Sequence, residues 1–296
     1  MTKISIRFFD DKEVRAIWDD EKSKWCFSVV DIIGVLTDSK APRKYWSVLK
    51  TRLKQTNLEL TTKCSQLKLK ANDGKYYLTD CLLQEDIIFL VENVPSRKSR
   101  KFIEWFTYSD DTLDGKSRSK AYALFDSSLL DTIEVGTVKG LQQIHGYLFG
   151  GLYDFAGQIR TRNIAKGDFQ FAAARFLLAT LRNIEAMPET SFDEIANKYV
   201  EMNIAHPFME GNGRSTRIWL DMLLKKKLKL CLDWSKVDKR EYLTAMKESS
   251  TNPQKIKALL QNALTSQIND REMFMKGIDY SYYYEQEDIS TEDDGL

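Results

Sequence analysis

The stretch HPFMEGNGRSTR, from His206 to Arg217, determines how the carboxyl-terminal half of the chain is expected to fold. The residue before a proline is pushed out of α geometry, so the helix that precedes Pro207 must end near His206. Gly211 and Gly213 allow positive φ angles and expose successive backbone N–H groups. The pattern therefore predicts two helices joined by a short turn, with an anion-binding nest where the second helix, RSTRIWLDMLLKKKLKL, begins.

The charged residues of this stretch indicate a site for several phosphates. Arg214 and Arg217 are three positions apart, so they lie on one face of the first helical turn and add two guanidinium groups to the nest. Glu210 lies just ahead of the nest, where bound phosphate would repel it unless a cation such as Mg²⁺ lay between them. His206 can accept a proton at neutral pH. Each feature alone is more often structural, whereas the combination favours a nucleotide-transfer site.

The bulk composition is that of an ordinary soluble globular protein. The chain has 296 residues, of which 43% are hydrophobic and 29% charged. Neither a long apolar run nor an apolar amino-terminal segment is present, so no membrane association and a cytoplasmic location are expected. The four cysteines have no C-x-x-C spacing and read as reduced, structural thiols.

The two halves of the chain differ in their secondary-structure signals. Short strand-like runs alternate with helical ones over residues 1–108, which predicts a small α+β domain. The polar segment DDTLDGKSRSK predicts a linker within residues 109–126. Beyond it the patterns are helical, including the capping-box pair Ser191 and Glu194 ahead of the helix that ends near His206. Residues 287–296 form an acidic tail.

The nest sequence resembles a known family. HPFMEGNGR matches the H-P-F-x-[D/E]-G-N-G-R motif of the Fic family, and Arg217 matches the second arginine of its extended form. Ile144 to Arg160, IHGYLFGGLYDFAGQIR, is similar to the segment before the family's flap hairpin. The resemblance implies a mainly α fold, with an all-α bundle and a β-hairpin flap over residues 127–280 after the small α+β domain. It also implies a protein adenylyltransferase that uses ATP and Mg²⁺.

The resemblance assigns a role to each residue of the motif. His206 would deprotonate a Tyr, Thr or Ser hydroxyl on a target protein, and Glu210 would hold Mg²⁺. The phosphates would be bound by Gly211, Asn212, Gly213, Arg214 and Arg217. The flap, which would pair with the target's backbone, comprises Asn163, Ile164, Ala165, Lys166, Gly167, Asp168 and Phe169. Asn203 could orient the site and Tyr242 could stack on adenine, although both are equally expected in the core or on the surface. His145 is expected in the core.

The segment SYYYEQ, residues 281–286, is similar to the inhibitory motif that some Fic proteins carry after the catalytic domain, although Gln286 departs from the usual Gly or Asn. Ser281 and Glu285 would share a helix face, and Glu285 would pair with Arg217 in place of the γ-phosphate. In that class, release is linked to dissociation of a homo-oligomer and to modification of nearby tyrosines. Tyr282, Tyr283 and Tyr284 are therefore candidate self-modification sites.

The amino-terminal domain resembles the BRO-N domain of phage antirepressors, over residues 1–108. Residues 40–75 contain ten Lys or Arg against two acidic residues, a local excess of eight positive charges. This excess is compatible with binding to DNA phosphates, and equally with a solvated or docking surface. Two other functions therefore stay open: a DNA-binding regulator whose Fic half senses nucleotide, and a Fic enzyme that removes AMP.

Overall fold

The computed structural model describes residues 4–55, 59–71, 74–127, 129–167 and 169–286. The chain divides into two compact units, with the boundary between Asp111 and Thr112. No helix among the described ranges is both long and apolar enough to cross a membrane. The acidic tail predicted over residues 287–296 lies outside the described residues.

The amino-terminal unit is built on one antiparallel sheet of five strands. Its strand order is β1-β2-β3-β5-β4, and helices α1 to α4 complete the unit. The strands are β1 Ile4–Phe9, β2 Lys12–Asp19, β3 Lys24–Ser28, β4 Ser65–Lys70 and β5 Tyr76–Leu83. The helices are α1 Val29–Thr37, α2 Pro42–Gln55, α3 Gln84–Glu92 and α4 Ser99–Tyr108. Helix α1 lies in the core, because six of its nine residues are buried aliphatic side chains.

The carboxyl-terminal unit is almost entirely helical. Its helices are α5 Leu113–Asp126, α6 Leu129–Thr132, α7 Val138–Phe149, α8 Ala174–Glu185, α9 Phe192–Ala205, α10 Asn212–Leu228, α11 Lys239–Glu248, α12 Gln254–Asn262 and α13 Arg271–Tyr283. A short hairpin pairs β6 Ala165–Lys166 with β7 Phe169–Gln170. A second two-stranded antiparallel sheet pairs β8 Cys231–Leu232 with β9 Leu264–Thr265, with α11 and α12 between them in sequence. The mainly α fold class predicted from the sequence is confirmed, including the preceding α+β unit.

Helix α10 is the central element of this second unit, because it packs against α7, α9 and α13. Its Trp219, Leu220 and Leu223 are fully or almost fully buried. Tyr199 of α9 and Leu148 of α7 are completely buried as well. Burial on three sides fixes the axis of α10, and with it the direction in which its amino-terminal N–H groups point.

The capping box predicted at Ser191 and Glu194 is confirmed at the start of α9. The Ser191 side chain accepts from the Glu194 N–H, and the Glu194 carboxylate accepts from the Ser191 N–H. The helix then ends at Ala205, and His206 adopts the left-handed conformation with φ 49°. This ending agrees with the restriction that Pro207 places on the residue before it.

The linker predicted over residues 109–126 is wrong for most of its length, because α5 begins at Leu113. Thr112 caps the helix by accepting from the Gly115 N–H, and Ala121 and Leu124 are completely buried. The segment appeared to be a linker because its buried face also includes Gly115, Ser117 and Arg118. Periodicity of apolar residues does not detect a buried helix face built from small and polar side chains.

Candidate functional site

His206 is held at the carboxyl end of α9 by contacts on two sides. Its Nδ1 lies 3.0 Å from the carbonyl oxygen of Asn203, and its ring stacks on Phe171 at a centroid distance of 3.7 Å. A carbonyl can only accept, so Nδ1 carries the proton and Nε2 carries the lone pair. Burial lowers the pKa of His206 to about 4, so the ring is neutral at pH 7. The imidazole is therefore a base with a defined tautomer.

The turn between His206 and α10 is fixed from inside the protein. The Asn212 side chain accepts from the Phe208 N–H at 2.8 Å and donates to the Phe208 carbonyl at 2.8 Å. Gly211 has φ 79°, and a Cβ at this position would overlap the ring of Phe149. Glycine is thus required at residue 211 by backbone conformation and by space. Asn212, predicted to bind phosphate, acts in this conformation as a support of the turn.

His145 supports the same turn from α7, and the prediction that it is a satisfied core residue agrees with its surroundings. The Gly157 N–H donates to Nδ1 at 2.8 Å, so Nε2 carries the proton and donates to the Glu210 carbonyl at 2.9 Å. The ring stacks on Phe208 at 3.8 Å and is completely buried. Burial lowers the pKa of His145 to about 4. His145 therefore fixes the backbone on which Glu210 stands.

Arg214 lies at the start of α10 between two carboxylates and two rings. One terminal nitrogen is paired with Asp114, and the other lies 3.0 Å from Glu210 Oε1. The guanidinium carbon is 4.9 Å from the Phe149 ring centroid and 5.7 Å from that of Tyr282. Burial acts to lower the pKa of Arg214, but Asp114 and the other nearby acidic groups raise it above its ordinary value. Asp114 is a site residue that the sequence did not indicate, because it lies 100 positions before Arg214.

Arg217 is almost completely buried and is bound by the end of α13. Its Nε donates to Ser281 Oγ at 2.7 Å, and one terminal nitrogen donates to the Ser281 carbonyl at 2.8 Å. The same terminal nitrogen is paired with Glu285. Burial acts to lower the pKa of Arg217, but Glu285 raises it above its ordinary value. The structure thus brings together Arg217, Ser281 and Glu285, as the sequence predicted.

Glu285 also lies against the first turn of α10, just after the end of α13. A Cβ on Gly213 would overlap Glu285 Oε1, so the missing side chain leaves room for this carboxylate. Burial acts to raise the pKa of Glu285, but Arg217 and Arg214 hold it below its ordinary value. Glu285 therefore lies as an anion against the N–H groups at the beginning of α10, the position that suits a phosphate oxygen.

The predicted flap corresponds to the hairpin β6–β7, and Asp168 of that prediction lies outside the described residues. Its base is tied to the site by the buried Arg160. The Arg160 side chain donates to the carbonyl oxygens of His206 at 2.7 Å, Arg162 at 2.6 Å, Ala172 at 2.6 Å and Ala205 at 3.0 Å. Arg160 therefore couples the hairpin to the histidine. It was not predicted, because a single arginine carries no signal of this kind in sequence.

Asn203 and Tyr242, which the sequence suggested as nucleotide-pocket residues, occupy different surroundings. Asn203 contacts His206 through its backbone carbonyl, so the contact does not depend on the type of side chain. Tyr242 is buried, its hydroxyl lies 2.5 Å from that of Tyr199, and its ring stacks on Tyr284 at 4.9 Å. Of the alternatives that the sequence left open for Tyr242, this conformation shows the core residue, because the Tyr284 ring covers one face of the Tyr242 ring.

The three tyrosines after Ser281 differ in access. Tyr282 and Tyr284 are buried, and their hydroxyls donate to Ser117 Oγ at 3.0 Å and to the carbonyl of Val237 at 2.7 Å. Tyr283 alone of the three is partly exposed. Modification of Tyr282 or Tyr284 would require the end of α13 to separate from its neighbours.

Glu210 is suited to a divalent cation that is held mainly by phosphate. Its side chain is 57% exposed, and Oε1 accepts from the Gly211 N–H at 2.9 Å. The described part of the chain contains no cluster of three His, Cys, Asp or Glu side chains that could bind a metal by themselves. One carboxylate beside a phosphate nest fits Mg²⁺, which is commonly bound by one or two carboxylates and phosphate oxygens.

A helix start with two buried arginines beside a neutral histidine is thus what the site presents. Residues 136–224 match the model of the Fic/DOC family. The protein adenylyltransferase VbhT of Bartonella schoenbuchensis is 31% identical over 153 residues, 47% of this chain and 31% of VbhT. The probable protein adenylyltransferase Fic of Escherichia coli is 33% identical over 107 residues, 31% of this chain and 54% of that protein. The chain thus spans about a third to a half of these relatives.

Solved structures with a similar fold come from Bartonella effector proteins. BepC of Bartonella tribocorum, solved with bound AMPPNP, has a TM-score of 0.44 at 19% identity, covering 52% of this chain and 85% of that chain. The N-terminal Fic domain of a Bep effector from Bartonella sp. AR 15-3 has a TM-score of 0.46 at 18% identity, covering 52% and 82%. Both similarities concern the fold.

The first prediction concerns acid stability. The folded-state pKa of His145 is about 4 and its ordinary value is 6.5, so the unfolded state binds its proton first. The contribution of His145 is fully present above pH 6.5 and is lost as the pH falls toward 4. His206, whose pKa is also lowered to about 4, adds a loss of its own over the same range, so the share of His145 is the difference between wild type and a variant that lacks it. Between pH 7 and pH 5 this share should be about 2 kcal/mol in the free energy of unfolding, measured by urea denaturation.

His145→Phe is the matched variant, because it keeps an aromatic ring but cannot titrate. It should be less stable than wild type at pH 7 by about 2 kcal/mol or more, since the Glu210 carbonyl and the Gly157 N–H lose their partner. The further loss between pH 7 and pH 5 should be smaller than in wild type. An equal loss in both proteins would contradict the assignment of a buried, neutral His145.

Proposed function

We propose that this protein transfers AMP from ATP to a Tyr, Thr or Ser hydroxyl of a target protein, and that Glu285 holds it inactive. The observation that carries the proposal is a neutral histidine five residues before a nest at a helix N-terminus, in which both arginines are paired with carboxylates. The Fic domain and the relatives named as protein adenylyltransferases support it.

The proposed reaction begins at His206. Its Nδ1–H is held by the Asn203 carbonyl, so Nε2 would accept the proton of the target's hydroxyl. The hydroxyl oxygen would then form a bond to the α-phosphorus of ATP, and the bond to the bridging oxygen would break. Pyrophosphate leaves with that electron pair, and AMP stays on the target. Positioning and charge neutralisation carry most of the catalysis in such transfers.

Different residues of the nest would bind different phosphates of ATP. The N–H groups of Gly211 and Gly213 and the guanidinium of Arg214 would bind the α- and β-phosphates, and Arg217 would bind the γ-phosphate. Glu210 would hold Mg²⁺, which supplies positive charge between the carboxylate and the phosphates. Through Arg160, the hairpin β6–β7 is tied to the turn that carries His206, so a target strand added to the hairpin would lie near the base.

The second prediction tests the base. His206→Ala should abolish transfer and leave ATP binding nearly unchanged, because His206 acts on the incoming hydroxyl and not on the phosphates. The measurement is transfer of label from α-³²P-ATP to protein in a cell lysate, with γ-³²P-ATP as the parallel label. Asn203→Ala is the matched control and should stay active, since only the backbone of Asn203 contacts the histidine. Because the wild-type chain is proposed to be inhibited, both substitutions are made in the Glu285→Gly background, and labelling by the His206→Ala variant equal to that of Glu285→Gly alone would refute the mechanism.

Inhibition follows from competition for one guanidinium group. The Nε of Arg217 already donates to the Ser281 hydroxyl, and one terminal nitrogen donates to the Ser281 carbonyl and to Glu285. A γ-phosphate would need the space and the hydrogen bond that Glu285 occupies. The bond is between charged groups and is largely shielded from water, since the Glu285 side chain is 24% exposed and that of Arg217 is 3% exposed. Binding of ATP in a productive pose would therefore require Glu285 to move.

The third prediction is that Glu285→Gly increases transfer more than any other single substitution. A hydrogen bond between charged groups contributes about 1.5–3 kcal/mol, so ATP binding should tighten by about ten- to a hundredfold. The matched control is Gln286→Gly, which places the same flexible residue one position later and leaves the Arg217–Glu285 pair intact. Glu285→Gly combined with His206→Ala should be inactive. Wild-type transfer by Glu285→Gly would require withdrawal of the inhibition, while the enzyme assignment would stand.

We propose DNA binding by the amino-terminal unit as a second function, favoured by exposed basic and aromatic side chains. Arg43, Lys44 and Lys54 of α2 are exposed, and the Arg43 guanidinium lies 5.5 Å from the Tyr77 ring centroid. Tyr76 and Tyr77 are 54% and 39% exposed. Trp46 and Lys50, which lie in the same basic segment of residues 40–75, are instead bound to Asp80. Phosphate contacts and stacking rings of this kind suit a nucleic acid without base specificity.

The fourth prediction is that the full chain retards a DNA duplex in a gel at low salt and releases it at high salt. Combined Arg43→Glu, Lys44→Glu and Lys54→Glu should abolish retention, because each removes a phosphate contact. Arg100→Glu on α4 is the matched control, since this side chain is 91% exposed on another element of the same unit. Equal retention by the triple variant and wild type would exclude α2 as the binding surface.

A further inference from the structure

Helix α5 delivers a second carboxylate to the phosphate nest. Asp114 lies in the first turn of α5, and its Oδ1 is paired with a terminal nitrogen of Arg214. The Asp114 side chain is 49% exposed, whereas that of Arg214 is 4% exposed. Arg214 Nε is buried and has no hydrogen-bond partner among the described residues. Each terminal nitrogen of Arg214 is therefore paired with a carboxylate, one with Asp114 and the other with Glu210.

The charges at the start of α10 do not favour an anion in this conformation. Two arginines, Arg214 and Arg217, face three carboxylates, Asp114, Glu210 and Glu285. The formal sum of these five side chains is −1. Mg²⁺ at Glu210 would add two positive charges, and the proposed departure of Glu285 would remove one negative charge. Asp114 would still neutralise the arginine nearest the α- and β-phosphates.

A purely structural role for Asp114 is not needed to hold Arg214. The guanidinium group already lies 4.9 Å from the Phe149 ring centroid and 5.7 Å from that of Tyr282. It is also bonded to Glu210, four positions earlier in the turn that precedes α10. These contacts fix Arg214 without Asp114. The additional carboxylate chiefly lowers the positive charge that Arg214 presents to a ligand.

Helix α5 is also bonded along its length to α13, which carries the proposed inhibitor. Tyr282 Oη donates to Ser117 Oγ at 3.0 Å, and Tyr122 donates to Asp279. Arg271 at the start of α13 donates to Asp126 at 2.8 Å. The carboxylates on the two arginines thus belong to two helices that are tied to each other.

We propose that Asp114 is a second inhibitory carboxylate, which masks Arg214 as Glu285 masks Arg217, so that α5 and α13 form one inhibitory pair. This inference rests on the proposed nucleotide site. Nucleotide would have to displace both carboxylates for full affinity. Loss of Asp114 frees Arg214, whereas loss of Glu285 frees Arg217, but Glu285 also interacts with Arg214, so the two effects on affinity should be coupled and not simply multiply.

The experiment measures binding of AMPPNP with Mg²⁺ to the full chain by calorimetry. Asp114→Asn should bind about three- to tenfold more tightly than wild type, because a half-exposed charged bond is weaker than a buried one. Asp114→Glu, which keeps a carboxylate at this position, should bind AMPPNP about as weakly as wild type does. Asp126→Asn is the matched control: it removes an acidic group from the same helix and loosens its bond to α13, but it does not touch Arg214. It should bind like wild type.

The outcomes separate this inference from the proposed function. Unchanged or weaker binding by Asp114→Asn, with tighter binding by Glu285→Gly, would overturn the role of Asp114 and leave the nucleotide site intact. Equal tightening by Asp114→Asn and Asp126→Asn would also overturn it, because loosening of α5 would then be the cause. If neither Glu285→Gly nor Asp114→Asn binds AMPPNP, the proposed function itself fails. Thermal unfolding of each variant verifies that it is folded.

Discussion

Two buried guanidinium groups at the start of α10 impose the main constraint on the carboxyl-terminal unit. Arg214 and Arg217 retain 4% and 3% of their side-chain exposure, and a buried charge without a partner typically costs several kcal/mol. The N–H groups of the same helix turn add to the positive potential. Every element around this turn therefore contributes an acceptor: α5 through Asp114, the preceding turn through Glu210, and α13 through Ser281 and Glu285.

His206 has to meet two different requirements, its position beside the nest and its neutral charge state. His206 must lie beside the nest, and the left-handed residue at the end of α9 places it there. Burial and the stack on Phe171 keep the ring neutral, which suits a base. His145, on the other side of the turn, is neutral for the same reason but has both nitrogens bonded to the backbone. Of the two histidines, only His206 has its Nε2 lone pair left for chemistry.

The features that were predictable from sequence are those set by near neighbours. Pro207 determined the end of α9, Ser191 and Glu194 its beginning, and the two glycines the turn before α10. The contacts of Arg214 with Asp114, and of Arg160 with the carbonyl oxygens of Ala205 and His206, join residues that are distant in sequence and carry no periodic pattern. The Arg217–Glu285 contact is equally distant, and it was expected only because a family resemblance supplied it. The misplaced linker at α5 and the buried Tyr242 have the same origin, since burial of small or polar faces is decided by tertiary packing.

The need to pair Arg217 also limits how the proposed inhibitor could be released. If Glu285 left an empty site, the acceptors that the described residues still offer to the Arg217 charge would all be neutral: the hydroxyl and carbonyl of Ser281 and the hydroxyl of Tyr242. The cost of an unpaired buried charge is about 3–5 kcal/mol. If a phosphate replaced Glu285, the charge would stay paired throughout. A ligand shifts such an equilibrium only by its difference in affinity between the two states. Under the proposed function, the start of α10 would therefore exchange one anion for another, and a triphosphate would enter chiefly by replacing the carboxylate that pairs with Arg217 in this structure.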